Sequence, residues 1–229
     1  MKYNIVLIPN SDEVGLALIT LAKEISEGNG LKPDYLLKDT EQFSIPHASV
    51  IQFEIKKNLL SSGMFGNDNQ DILELIWKHV SETWQEVLAQ SDNMKTLVCT
   101  MPQTINYKHD TLGAFAGVSW SEIIVNKFAN PLIQQFHDKL REKLAPLGIH
   151  CLNTSGERYN PHFTLFNIRT SLLEQANLSK EVTEPYLPVL KSFSIKPALG
   201  IANDKWEFTM KLKEEKFPIE SRHKYECPT

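Results

Sequence analysis

Two short stretches of this chain carry the same pattern about half a chain apart. One reads Pro46-His47-Ala48-Ser49-Val50, the other Pro161-His162-Phe163-Thr164-Leu165. With 12 Pro and 7 His in 229 residues, Pro-His-x-[Ser/Thr] should occur roughly 0.05 times by chance, so a second copy is a signal. Phe163, Leu165 and the apolar positions after them make the second stretch a strand, with Pro161 at its start. Alternate side chains of a strand share a face, so His162 and Thr164 point the same way. His47 and Ser49 do the same in the run from His47 to Ile55. The rest of the chain then has to be the scaffold that brings an imidazole–hydroxyl pair from each half together.

The order of elements supports such a scaffold. Tyr3 to Pro9 is a short apolar run, predicted as a buried strand. Ser11 is placed to cap a helix whose first turn holds Asp12 and Glu13, a favourable end for negative charge. Val14, Leu18, Leu21, Ala22 and Ile25 recur at helical spacing, and Gly28 and Gly30 end that helix. The His47 strand follows, then loop chemistry from Ser61 to Asn69. Asp71 to Gln90 is a second helix, with Ile72, Leu75, Ile76, Val80, Trp84, Val87 and Leu88 on one stripe. Trp77 and Trp84 are read as core or its rim.

Thr96 to Ile105, Gly113 to Trp120 and Glu122 to Phe128 are predicted as three more strands. Asn130 caps a third helix with Pro131 at its first position, striped by Leu132, Ile133, Phe136, Leu140, Leu144 and Leu147 and ended by Gly148. A loop, Asn153 to Asn160, delivers the chain to the His162 strand. A weaker helix is read at Leu172 to Leu178, in a region interrupted by Pro185 and Pro188. Phe193 to Ile201 and Trp206 to Leu212 form a hairpin about Asn203-Asp204, with Trp206, Phe208, Met210 and Leu212 alternating. The tail 213–229 is expected to be loosely ordered. No linker separates the halves, so residues 1–229 are one domain with an imperfect internal duplication. The predicted class is α+β, with two antiparallel-rich sheets, helices outside, facing a common cleft.

Composition removes several function classes. The net charge is −4 and there is no Lys/Arg block, so extended binding to duplex nucleic acid, which depends on phosphate neutralisation, is not expected. A small anionic ligand in a local pocket stays allowed. The three cysteines, Cys99, Cys151 and Cys227, are far apart and odd in number, which points to a reducing compartment and no disulfide framework. The opening Met1 to Pro9 is too short and too soon broken for a signal peptide or span. A cytoplasmic location, no membrane partner and a monomer are expected. The sequons at Asn153 and Asn177 are then coincidental. There is no His-Glu-x-x-His, close His pair or Cys cluster for a metal. No glycine-rich nucleotide loop and no Gly-x-Ser-x-Gly elbow occurs.

The two hydrophobic-His-x-[Thr/Ser]-hydrophobic strands resemble those of the two-histidine (2H) phosphoesterase superfamily. That group includes 2′,5′ RNA ligase-like proteins, 2′,3′-cyclic nucleotide phosphodiesterases and related RNA-end-processing enzymes. The resemblance covers nearly all of the chain in element order, while the two tetrapeptides carry its specificity. It implies two pseudo-symmetric lobes, each giving one motif to a central cleft, with His47, Ser49, His162 and Thr164 as the site. It also implies a nucleotide or RNA-end substrate and no metal or organic cofactor.

Those residue types suit the implied reaction. Opening a cyclic phosphate needs a base to take a proton from attacking water and an acid to protonate the departing ribose oxygen. With a reference pKa of about 6.5, histidine serves in either role near neutrality. Ser49 and Thr164 can donate hydrogen bonds to the non-bridging oxygens, where charge builds; a well-placed donor supplies roughly 2.7–4 kcal/mol. His162 is taken as base and His47 as acid, although a symmetrical site permits the reverse. Arg158 is a candidate phosphate contact and Tyr159 a candidate base platform; a solvated arginine and a packing tyrosine fit the sequence equally. Trp120 and Phe65 are further candidate platforms. His79, His109, His137, His150 and His223 lack the motif and are read as surface or core. The competing function is a non-catalytic nucleotide- or RNA-end-binding module on the same fold.

Overall fold

In a computed structural model, the structure describes residues 1–28, 45–55, 69–91, 97–100, 105–110, 118–126, 128–153, 156–168, 184–203 and 208–215. Among the described residues, eight strands form one sheet: β1 (Lys2–Pro9), β2 (Ala48–Glu54), β3 (Leu97–Thr100), β4 (Ile105–Asp110), β5 (Val118–Ile124), β6 (His162–Ile168), β7 (Ser192–Ala202) and β8 (Phe208–Glu214). Their order is β3-β7-β1-β2-β6-β5-β4, with β8 on β7, and every pairing is antiparallel. The α+β class holds, but the two separate sheets expected from the sequence are one continuous sheet. Its halves touch at a single register pair among the described residues, Ala48 with Phe163. In each half a strand, a helix and a histidine-bearing strand follow one another, and the two strands pair.

Among the described residues, three long helices, α1 (Asp12–Gly28), α2 (Asn69–Leu88) and α3 (Pro131–Leu144), supply one side of the main core. Ser11 caps α1 through its hydroxyl, which accepts from the Glu13 N–H at 3.2 Å. Most of each predicted stripe is buried, Val14, Leu18, Leu21 and Ala22 on α1, Ile72, Ile76, Val80 and Trp84 on α2, and Ile133, Phe136, Leu140 and Leu144 on α3, while Leu75, Leu132 and Leu147 are only partly so. Trp84 meets Phe136 edge-on with centroids 5.2 Å apart, an arrangement that adds about 0.5–1.5 kcal/mol beyond burial. Trp77 is only partly buried. After α3 a 3₁₀ turn (Ala145–Leu147) ends on Gly148, the residue expected to end the helix, with a left-handed φ of 74°.

Several boundaries differ from the sequence reading. β5 continues through Trp120-Ser121, where two strands were expected to break, with a register shift against β6 between Ser121 and Glu122, and Asn106 to Asp110 are strand although the expected strand ended at Ile105. Pro185 and Pro188 lie in a 3₁₀ turn, Glu184–Tyr186, and a helical turn, α4 (Leu187–Leu190). Lys213 and Glu214, expected in a loose tail, complete β8, and Glu215 donates its N–H to the Pro197 carbonyl at 3.1 Å. Gly30, Phe65, Asn177, Asp204, Trp206, His223, Cys227, the weak helix at 172–178 and residues 216–229 fall outside the described residues. No helix among the described residues is long and apolar enough to cross a membrane.

Candidate active site

The sheet has a core face and an opposite face, and a β-bulge decides which receives the first histidine. On β1, Tyr3, Ile5 and Leu7 belong to the main core, while Val6 and Ile8 belong to a small apolar cluster with Ala198 and Phe208. β2 pairs Ile51 with Ile5 but Ser49 with Val6, skipping Val50. The extra residue switches faces. Ile51 and Phe53 go to the core, and Ser49 goes to the face of Val6. Strict alternation from His47 to Ile55 would have sent the imidazole and hydroxyl into the core with them.

On the other side of the central pair, Phe163 and Leu165 are fully buried in the core, so His162 and Thr164 take the opposite face. Ala48, paired with Phe163, is also in the core. His47, Ser49, His162 and Thr164 therefore flank one buried pair on one face of the sheet. Each of the four is half-buried, open to solvent along part of its surface.

Both rings are held alike. His47 Nδ1 lies 3.0 Å from the Ile45 carbonyl, and His162 Nδ1 lies 2.8 Å from the Asn160 carbonyl. A carbonyl only accepts, so each Nδ1 carries a proton, which sets the tautomer of the neutral ring. Burial pushes the His47 pKa down from 6.5 to about 4, against an upward pull from the Ile45 bond and with a further downward push from the charge of His162. His47 is thus a neutral imidazole at neutral pH, within electrostatic reach of its counterpart.

The loop before β6 supports the first motif from its open edge. Asn153 accepts from the Gln52 N–H at 2.9 Å and donates to the Val50 carbonyl at 3.1 Å. The Leu152 N–H donates to the Gln52 carbonyl at 2.8 Å. The backbone groups around the bulge are satisfied by this loop. The Tyr159 hydroxyl adds a bond to the Ser49 carbonyl at 3.1 Å. On the side-chain side, Gln52 Nε2 donates to Ser49 Oγ at 3.4 Å, which leaves the hydroxyl proton directed elsewhere.

Tyr159 is 1% exposed and lies face to face with buried His137, centroids 4.0 Å apart. Its ring is a packing element; both its faces are not available to a base, and burial pushes its phenol far up. His137, read from the sequence as surface or core, is core, with Nδ1 2.9 Å from Asp138 Oδ1. Arg158 is exposed on a 3₁₀ turn, Gly156–Arg158. Trp120 lies on β5 opposite Asn167 of β6. Burial raises the Cys99 thiol to about 12 and also raises that of Cys151, which makes both poor nucleophiles.

Sequence reasoning missed Phe208 as a neighbour of the site. Its ring centroid is 5.4 Å from that of His47. Asn153 and Gln52 were missed too, because they act through a bulge that no local pattern marks.

No family model and no curated protein sequence matches the chain. Among solved structures it is similar to that of Kluyveromyces marxianus Usb1 with uridine monophosphate, at TM-score 0.46 and 9% identity, covering 87% of this chain and 93% of that one. It is also similar to another structure of Kluyveromyces marxianus Usb1, at TM-score 0.45 and 10% identity, with the same coverage of 87% and 93%.

Proposed function

We propose that this protein is a metal-independent phosphodiesterase that hydrolyses a 2′,3′-cyclic phosphate or a 2′,5′-linked nucleotide or RNA end. The observation that supports it most is the convergence of both histidine–hydroxyl pairs on one sheet face, about the Ala48–Phe163 pair. The match of both motifs to the two-histidine phosphoesterase pattern supports it as well, and with it a pseudo-twofold relation between the strand–helix–strand units of the two halves.

In this reading the roles are the reverse of the sequence-based assignment. His47, neutral with a bare Nε2, is the base that takes a proton from the attacking water. His162 in its protonated form gives a proton to the ribose oxygen as its bond to phosphorus breaks. The product is a phosphomonoester with a free ribose hydroxyl, and one proton has been taken and one returned. Ser49 and Thr164 donate to the non-bridging oxygens as negative charge accumulates. Arg158, just before β6, is proposed as a phosphate contact from the rim, and Trp120 as a candidate base platform.

The test is turnover of nucleoside 2′,3′-cyclic phosphates and 2′,5′-linked dinucleotides with and without EDTA. Turnover unaffected by chelator is expected. Binding without turnover would establish a nucleotide-binding module instead, and turnover abolished by chelator would establish a metal enzyme.

A further inference from the structure

We propose that Phe208 is a positioning residue for His47, pressing an apolar wall against the imidazole in space that Gly200 leaves open. This rests on the reading of His47 as a catalytic group and adds a residue that neither motif contains.

Three observations carry it. First, Phe208 is 1% exposed and packs with Val6, Ile8 and Ala198, with Ile45 beside them, in a cluster separate from the main core. That cluster lies on the histidine face of the sheet. Ile45 also supplies the carbonyl that fixes His47 Nδ1, so one patch holds the ring by both contact and hydrogen bond. Second, the rings of Phe208 and His47 are tilted 49° at a centroid separation of 5.4 Å, a direct ring–ring contact. Third, a Cβ built on Gly200 would lie 2.5 Å from Phe208 Cε2 and 2.7 Å from Cζ, and nearer still to the Met210 carbonyl oxygen. Real Cβ contacts are not that close, so the ring occupies this position because residue 200 has no side chain.

The backbone makes the arrangement specific. The β7–β8 ladder shifts register twice, between Leu199 and Gly200 and between Ile201 and Ala202. Those bulges break the alternation of β8. Phe208 turns into the histidine face, while Met210 and Leu212 are exposed. An apolar wall withholds water from the imidazole and disfavours its charged form, in line with the lowered pKa of His47. The other groups around His47 are consistent with that cause. Among the described residues His162 is the titratable group acting on it. On β7 and β8, Lys196 and Lys211 are both paired with Glu214, at 3.2 and 2.8 Å.

The experiment is an NMR titration of the His47 ring in the full chain, without substrate, alongside the pH dependence of turnover. Phe208→Leu removes the ring and admits water. The His47 pKa should rise by about one unit or more, toward the ordinary value. The acid-side limb of turnover should move up with it, lowering kcat below about pH 6 with KM little changed. Phe208→Tyr keeps the ring and should titrate as the wild type does. Phe136→Leu, in the core on the opposite face, should lower stability without moving the titration. If the Leu variant fails to fold, Phe208→Met carries the same test. A His47 titration unmoved by loss of the ring would overturn the proposal. Because the titration needs no substrate, absence of turnover in the wild type would sink the proposed reaction and leave this test intact.

Discussion

His47 and His162 are anchored in the same way: each ring donates from Nδ1 to the backbone carbonyl two residues before it, Ile45 in one case and Asn160 in the other. Each anchor is the carbonyl of the residue just before the proline, Pro46 or Pro161, that precedes the histidine. That shared tether fixes the tautomer of each neutral ring. What differs is the surroundings. Phe208 packs on His47, whose pKa falls to about 4.

The first prediction is the position of the acid limb of activity. A base with an ordinary imidazole pKa would lose turnover below about 6.5. With His47 as base, turnover should persist well below that and fall as pH approaches 4. The full profile should be bell-shaped, because the paired acid must keep its proton. Initial rates across the pH range measure this. An acid-side inflection at the ordinary histidine value would assign the base elsewhere.

The same shift links folding to pH. In the unfolded chain His47 binds a proton at about 6.5, whereas folded His47 stays neutral down to about 4. Between those values the unfolded state holds more protons, so stability rises with pH and is lost as pH falls through the window. The full effect is on the order of 3 kcal/mol. Urea unfolding at about pH 4.5 and about pH 7 should show a smaller change for His47→Gln than for the wild type. Equal changes would mean that His47 titrates normally in the fold.

Asn153 tests the support beneath the first motif. Asn153→Ala removes the bonds to Gln52 N and Val50 O and should cost roughly 1–3 kcal/mol, because backbone groups beside the bulge lose their partner. Turnover should fall with it, since Ser49 precedes the bulge. Asn153→Asp keeps the acceptor and loses the donor, so it should fall between. Denaturant midpoints and kcat for the two variants decide this; an Ala variant with wild-type stability would remove Asn153 from the account.

Much of this architecture could be read from the sequence, and the failures have physical reasons. The helices were legible because their apolar stripes are long and periodic, and Ser11 and Gly148 mark ends with local chemistry. The pairs His47–Ser49 and His162–Thr164 were legible because two residues along a strand share a face. The bulge at Val50 was not, although without it Ile51 and Phe53 would lie with the histidine. Asn130 was read as the cap of α3 and does occupy that position. Its side chain instead accepts from the Thr100 N–H and donates to the Thr100 and Asn126 carbonyls, tying β3 to the helix start. Tyr159 looked like a base platform by position, yet its partners, His137 and Ser49, are distant in sequence. Phe208 of β8 meets His47, which lies far earlier in the chain, just before β2, a relation that alternation within β8 could not reveal.

Tyr159→Phe separates packing from hydrogen bonding at that ring. The stack on His137 remains, while the bond to the Ser49 carbonyl is lost. Stability should fall by about 1 kcal/mol, and turnover should stay within about tenfold of the wild type. A loss as large as that from either histidine would place the hydroxyl in the chemistry itself.

The decisive comparison is kcat/KM on a nucleoside 2′,3′-cyclic phosphate for the wild type, His47→Ala, His162→Ala and the double variant, with circular dichroism confirming the fold. Each single substitution should lower turnover by about 10²–10⁴-fold. The double variant should fall no more than about tenfold below the weaker single, because both rings serve one transition state. Either single variant retaining turnover within about threefold of the wild type would contradict a paired acid and base.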